Sequence, residues 1–164
     1  MNTFVSSAGV TLREATEHDT AEMIEVVNAA FEEENFFVNR PRTHPAQIAE
    51  HFRSGHFLLA HDAGQLVASL YYEVRGERGY LGMLAVRPGR QRHGLGGVMI
   101  RAVEDILRSL GCRIAEIAVV NVRTALLPVY RKLGYVESGV AETPEELLQK
   151  LTMPVQLIRM EKKL

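Results

Sequence analysis

The chain has 164 residues, of which 46% are hydrophobic and 24% charged, with a formal net charge of −1. That length accommodates one domain with a full core and no need of disulfides or metals, and the composition excludes a mainly disordered chain. Near-neutral charge excludes a surface-wide affinity for nucleic acid, so a polyanion would have to meet a local basic patch.

In chain order, residues 10–15 read as a short strand, and Asp19-Thr20-Ala21-Glu22 supplies a capping-box pattern. Met23, Ile24, Val27, Ala30 and Phe31 then recur at helical spacing, which predicts a first helix. Residues 32–43 combine three glutamates, two phenylalanines, two asparagines and two arginines without a period, a candidate binding loop. Pro45 opens a second short helix through about Arg53. Residues 57–61 and 66–74 are apolar and β-branched, and the turn Asp62-Ala63-Gly64-Gln65 joins them as a hairpin. A turn at Gly76-Glu77-Arg78-Gly79 leads to a third strand over residues 80–86.

That strand stops at Arg87-Pro88-Gly89-Arg90-Gln91-Arg92-His93-Gly94-Leu95-Gly96-Gly97, and a helical apolar period runs from about residue 95 to 110, where Gly111 caps it. Residues 114–120 form another strand ending at Asn121. A helix over 124–133 follows, with Pro128 tolerated only near its first turn and Gly134 at its end. Residues 135–141 and 155–160 close the chain as strands, and Thr143-Pro144-Glu145-Glu146 starts a short helix between them. No repeat or linker divides the chain, so residues 1–164 read as a single domain with a core over about 10–162.

A basic, glycine-rich loop that opens a helix is an anion site. The first helical N–H groups lack internal partners, the macrodipole adds positive charge there, and glycine lets an anion approach the backbone. Arg90 and Arg92 beside it would add charge-assisted contacts to phosphate. The chain contains no Gly-Lys pair, which excludes a Walker loop. The spacing Gly94, Gly96, Gly97 after antiparallel strands departs from a dinucleotide fingerprint.

Gln91-x-x-Gly94-x-Gly96 after Leu84-Ala85-Val86, with Asn121 and Pro128-Val129-Tyr130-Arg131-Lys132-Leu133-Gly134-Tyr135 downstream, closely resembles the GCN5-related N-acetyltransferase (GNAT) family. The resemblance spans residues 10–162 and is strongest over 80–136. It implies an α/β single-domain GNAT fold, with a mixed, mostly antiparallel central sheet flanked by helices and parallel where the strands at Tyr80 and Ile114 meet. It also implies acetyl-CoA as cosubstrate and direct transfer to an amine acceptor, a small molecule or a protein N-terminus. Carried over by position, Leu84, Ala85 and Val86 would pair with the pantetheine amides. The N–H groups of Arg92, His93, Gly94, Leu95, Gly96 and Gly97, with Gln91 beside them, would hold the pyrophosphate. Asn121 would lie near the pantetheine arm and Tyr130 beside the sulfur.

An alkylammonium of pKa ~10.4 costs about 4.6 kcal/mol to deprotonate at pH 7, so a base is useful, and the leaving thiolate benefits from an acid. Tyr130 is the expected acid; apart from the motif it reads as a core aromatic among Leu126, Val129 and Leu133. Glu116, five residues before Asn121 as in the ribosomal-protein alanine acetyltransferases this chain is similar to, and Glu73 are the candidate bases, and each equally suits a solvated sheet face. A backbone N–H near Met83 or Leu84 would stabilise the oxyanion.

For the acceptor, Glu32, Glu33 and Glu34 suit a cationic amine, Arg40 and Arg42 an acidic one, and Phe36, Phe37, Tyr71 and Tyr72 an apolar wall. Two readings stand beside catalysis: a regulatory domain that binds acyl-CoA without transfer, and a nucleotide-binding enzyme using the same loop. The histidines, His18, His44, His51, His56, His61 and His93, show no metal-ligand spacing, so no metal is expected. Cys112, the single cysteine, follows Gly111 at the start of an apolar run and reads as a buried thiol. No signal peptide or membrane span is read, the expected address is the cytoplasm, and a homodimer is left open.

Overall fold

Strands β1 (Thr3–Val5), β2 (Thr11–Glu14), β3 (His56–Asp62), β4 (Gln65–Arg75), β5 (Arg78–Val86), β6 (Ile114–Val120), β7 (Val136–Ala141) and β8 (Leu157–Lys163) form one sheet in the order β1-β2-β3-β4-β5-β6-β8-β7. The computed structural model describes residues 3–5, 9–39, 41–91 and 94–164. Every strand pair is antiparallel except β5 and β6, as expected for the mixed sheet. The helices are α1 (Thr20–Ala30), α2 (Pro45–Ser54), α3 (Leu95–Ser109), α4 (Leu126–Lys132) and α5 (Glu145–Lys150).

The β3–β4 hairpin forms because Ala63 and Gly64 both take positive φ, 49° and 81°, the geometry whose twist matches two flanking strands. One apolar cluster lies between the sheet and α3, with Met99, Val103 and Leu107 packed over Leu70, Leu81 and Ala115. A second lies under α1 and α2 on the other face, with Met23, Val27 and Ile48 against Phe57, Leu59 and Ala85. Gly79 lets α3 sit close to the β5–β6 junction, since a Cβ there would stand 2.4 Å from Leu107 Cδ1.

Three expectations need correction. The carboxylate of Asp19 does not cap α1; it accepts from the Thr16 N–H at 2.8 Å and from Arg13, so the cap belongs to the short 3-10 turn Glu17–Asp19. Strand β8 runs to Lys163 rather than ending at 160, because its charged end is matched: Arg78 Nη1 donates to Glu161 at 2.6 Å and Lys162 Nζ to Glu104 at 2.9 Å. Phe36 is exposed, while Phe37, Tyr71 and Tyr72 are buried in the interior, so these four rings do not wall an acceptor site.

Glu104 on α3 is a buried carboxylate, met by Lys162 Nζ at 2.9 Å and by the Tyr135 hydroxyl at 2.8 Å. Burial, and then the Glu104 charge, push the Tyr135 hydroxyl well above its ordinary pKa, so it stays a donor. The three groups tie α3 to the start of β7 and the end of β8. Tyr135→Phe leaves Glu104 short of one donor and is expected to cost about 1–3 kcal/mol. At about 2–4 °C per kcal/mol for a chain this long, calorimetry should read a lower Tm. An unchanged Tm would show the bond to be idle.

Candidate active site

β5 and β6 pair only at Arg78↔Ile114, Gly79↔Ala115 and Tyr80↔Glu116. Beyond that rung β5 continues to Val86 and β6 to Val120 without pairing, so the two strands splay and the β6-facing edge of β5 is left open. A cleft of about 570 Å³ fills the split. Its walls include Tyr80, Leu81, Gly82, Met83, Leu84 and Val86 from β5, residues 117–120 from β6, and Val129 and Tyr130 from α4.

In the same stretch β5 carries a bulge, in its ladder with β4. Ser69 pairs with Ala85 and Tyr71 with Gly82, so Met83 and Leu84 together face the single residue Leu70. Met83 has φ 53°, a left-handed conformation that a non-glycine side chain seldom adopts. A bulge interrupts the ladder locally, and here both of its residues line the cleft.

At the end of β5, Gln91 Nε2 donates to the Val86 carbonyl at 3.0 Å, and Gln91 itself lines the cleft. Gly94 precedes α3 with φ 78°, a left-handed turn that favours glycine and starts the helix at Leu95. The Val98 N–H makes the first bond of the helix, to the Gly94 carbonyl at 3.1 Å, so the N–H groups of Leu95, Gly96 and Gly97 lack helical partners. Arg92 and His93 lie outside the described residues. Arg90 is paired with Asp62, and Arg87 bonds the Leu66 carbonyl at 2.9 Å and Glu25 at 3.2 Å, so both are committed to the protein itself.

The remaining expected site residues divide. Tyr130, Leu84 and Val86 line the cleft, whereas Ala85 is buried in the cluster under α1. Asn121 is bound both ways to Gln156, its N–H donating to the Gln156 carbonyl and its Oδ1 accepting from the Gln156 N–H, each at 2.8 Å. Glu116 bonds Arg78 at 3.3 Å and is not among the cleft walls. Neither is Glu73: burial would raise its carboxyl, but the Tyr71 hydroxyl and Arg75 hold it below the usual carboxylate range.

The structure adds residues to the cleft that the motif did not single out. Arg123 Nη1 donates to Glu34 at 3.1 Å and Nη2 to Glu33 at 3.2 Å. Burial pushes the Glu34 carboxyl up, against the pull of Arg42 and Arg123. Burial likewise raises the Tyr80 and Tyr130 hydroxyls, with Arg75 and Arg42 opposing at Tyr80 and Arg123 opposing at Tyr130. His51 of α2 also lines the cleft, its Nδ1 2.8 Å from the Gln47 carbonyl. A carbonyl only accepts, so Nδ1 carries the proton and Nε2 the lone pair.

The sequence model of the acetyltransferase (GNAT) family matches residues 20–135. The chain belongs to the GNAT acetyltransferase family. Solved structures agree on the fold. The PaiA N-acetyltransferase from Thermoplasma acidophilum, in complex with coenzyme A, aligns at TM-score 0.76 and 16% identity over 94% of this chain and 99% of that one. The ribosomal-protein-S18-alanine N-acetyltransferase from Escherichia coli aligns at 0.74 and 16% identity over 94% and 93%. The ribosomal-protein-alanine N-acetyltransferase from Brucella melitensis aligns at 0.74 and 20% identity over 93% and 99%. As a GNAT acetyltransferase the protein is an acyltransferase. No helix among the described residues is long and apolar enough to cross a membrane.

Proposed function

We propose that this GNAT protein moves an acetyl group directly from acetyl-CoA to an amine, of a small molecule or a protein N-terminus. The observation that carries the reading is the Met83–Leu84 bulge, on the stretch of β5 that lines a cleft which Tyr130 also lines. A CoA donor fits the residues present. The free N–H groups at the start of α3 suit a pyrophosphate, and the unpaired edge of β5 suits a chain carrying amides.

The donor supplies a thioester carbonyl: the amine nitrogen forms the C–N bond, the C–S bond breaks, sulfur leaves with a proton, and the amine gives up one. The bulge offers a backbone N–H to the carbonyl oxygen as it gains negative charge, fixed in place before the reaction. Tyr130 donates to the departing sulfur. Glu33 and Glu34 are held by Arg123, and Glu146 by His44, so among these groups the Nε2 lone pair of His51 is the one not already engaged. His51 takes the amine proton, directly or through water.

The test is free-thiol release from acetyl-CoA against a panel of amines, amino acids and peptides, alongside thermal unfolding. Acetyl-CoA at 100 times its Kd should stabilise the protein by about 2.7 kcal/mol. Stabilisation without thiol release for any amine would replace this reading with a regulatory, acyl-CoA-binding one. Stabilisation by ATP or NAD in place of acetyl-CoA would favour a nucleotide-binding enzyme.

A further inference from the structure

The part of the cleft built by residues 31–39, 41–42, α2 and α5 is closed by contacts between distant segments. Val38 bridges Leu151, the Asn39 N–H donates to the Lys150 carbonyl at 2.8 Å, and the Thr152 N–H donates to the Phe37 carbonyl at 2.9 Å. Six charged side chains line the cleft and define its chemistry: Glu33, Glu34, Glu146, Arg42, Arg123 and Lys150. Arg123 is fully engaged, with one terminal nitrogen on each glutamate. Lys150, at the same end, donates to the Pro41 carbonyl at 3.0 Å.

Arg42 differs from both. Its guanidinium lies over the Phe31 ring, 5.0 Å from the centroid, and its nearest carboxylate oxygen, Glu34 Oε1, stands 3.9 Å from Nε. That separation is beyond a hydrogen bond, and Arg42 makes none among the described residues. Its Nε is buried without a partner. A guanidinium presents five donors in a planar fork that matches a carboxylate, and stacking on an aromatic ring fixes the plane of that fork. Arg42 lines the same cleft as Tyr80, Met83 and Leu84.

The charge balance narrows the ligand. Arg42, Arg123 and Lys150 against Glu33, Glu34 and Glu146 sum to zero, so a polyamine would bring uncompensated positive charge beside two guanidinium groups. A peptide N-terminus would offer Arg42 only a neutral carbonyl. A zwitterion leaves the sum at zero and gives the unmet fork a carboxylate. Space argues the same way, because one cleft of about 570 Å³ must hold both the thioester arm and the acceptor.

We propose that the acceptor is a small amino acid whose carboxylate is clamped by Arg42 while its amine faces the Met83–Leu84 bulge. This rests on the acetyl-transfer reading above. The transfer is balanced as already written, the amine nitrogen gaining the acetyl carbon and losing a proton while the sulfur leaves as thiol. The carboxylate takes no part in bond making and serves to orient the amine.

The experiment compares thiol release for amino acids, the same compounds as amides, their decarboxylated amines and short peptides. For wild type, the best amino acid should exceed its amide and its decarboxylated amine by about 10²-fold or more in kcat/KM, as expected for a carboxylate held by a desolvated arginine. In Arg42→Gln that ratio should fall to within about threefold, with the loss mainly in KM. Arg42→Lys keeps the charge without the fork and should lose at least about tenfold of the ratio, which covers the case in which Arg42→Gln fails to fold. Amides, decarboxylated amines or peptides turned over as well as amino acids by wild type would overturn the proposal and leave acetyl transfer standing. Equal loss for all substrates in both variants would also overturn it. No thiol release from any compound, with acetyl-CoA still raising the Tm, would defeat the acetyl-transfer reading and this proposal with it.

Discussion

Tyr130→Phe is expected to lower kcat by about 10²–10⁴-fold, with little change in the donor's KM or in Tm. The variant keeps the ring, which packs against the cluster under α3 and meets Tyr135 at a centroid distance of 6.2 Å. It removes only a hydroxyl that makes no hydrogen bond among the described residues, so folding loses little. On the proposed mechanism, chemistry loses a donor at the departing sulfur. Burial raises the Tyr130 hydroxyl above its ordinary value of 10.0, so the proton is in place throughout the neutral range. The same direction makes full transfer to a thiolate of pKa ~8.5 uphill. On the proposed mechanism Tyr130 therefore works chiefly by hydrogen bonding to sulfur as the C–S bond lengthens, helped by Arg123, which opposes the upward shift. Single-turnover rates with saturating acetyl-CoA are the measurement. A rate within threefold of wild type would return Tyr130 to the role of a core aromatic.

The elements that frame the β5–β6 split and the start of α3 are legible in the sequence because they are built from local signals. The β3–β4–β5 meander follows from alternating apolar runs with Asp-Ala-Gly between two of them, and α3 from a long apolar period that starts at Gly94. The parallel contact of β5 with β6 is the one that the family resemblance implies. The acceptor side is built differently. Glu34 and Arg123 meet across 89 positions, and His44 and Glu146 across 102, so no window of sequence contains both members of either pair. Glu73 looks like a base by strand position, but Tyr71, Glu73 and Arg75 alternate onto one face of β4 and bond to one another. The bulge has no local signature either, because the residue that takes positive φ is Met83 rather than a glycine. Three residues of β1 carry too short a pattern to read as a strand, and they form one by pairing with β2.

His51→Asn is expected to cost about 10²–10⁴-fold in kcat/KM near neutral pH, and to change the shape of the pH profile as well as its height. Asparagine's side-chain N–H can replace Nδ1 as donor to the Gln47 carbonyl, so α2 keeps its bond while the Nε2 lone pair is lost. The surroundings of that lone pair are defined. The Tyr71 ring stands edge-on at a centroid distance of 4.6 Å, Phe57 lies at 6.0 Å, and the Glu73 charge is felt across the same wall. Glu73 itself stays ionised and bound to Arg75 and Tyr71, which leaves the imidazole as the group that takes the proton. Without the base, the variant depends on amine already deprotonated in solution. Its kcat/KM should then rise about tenfold per pH unit toward the amine's own pKa, ~10.4 for an alkylamine, and approach wild type there. A histidine that only braces α2 would lower the whole profile evenly, so a variant whose curve runs parallel to wild type from pH 6 to 10 would exclude His51 as the base.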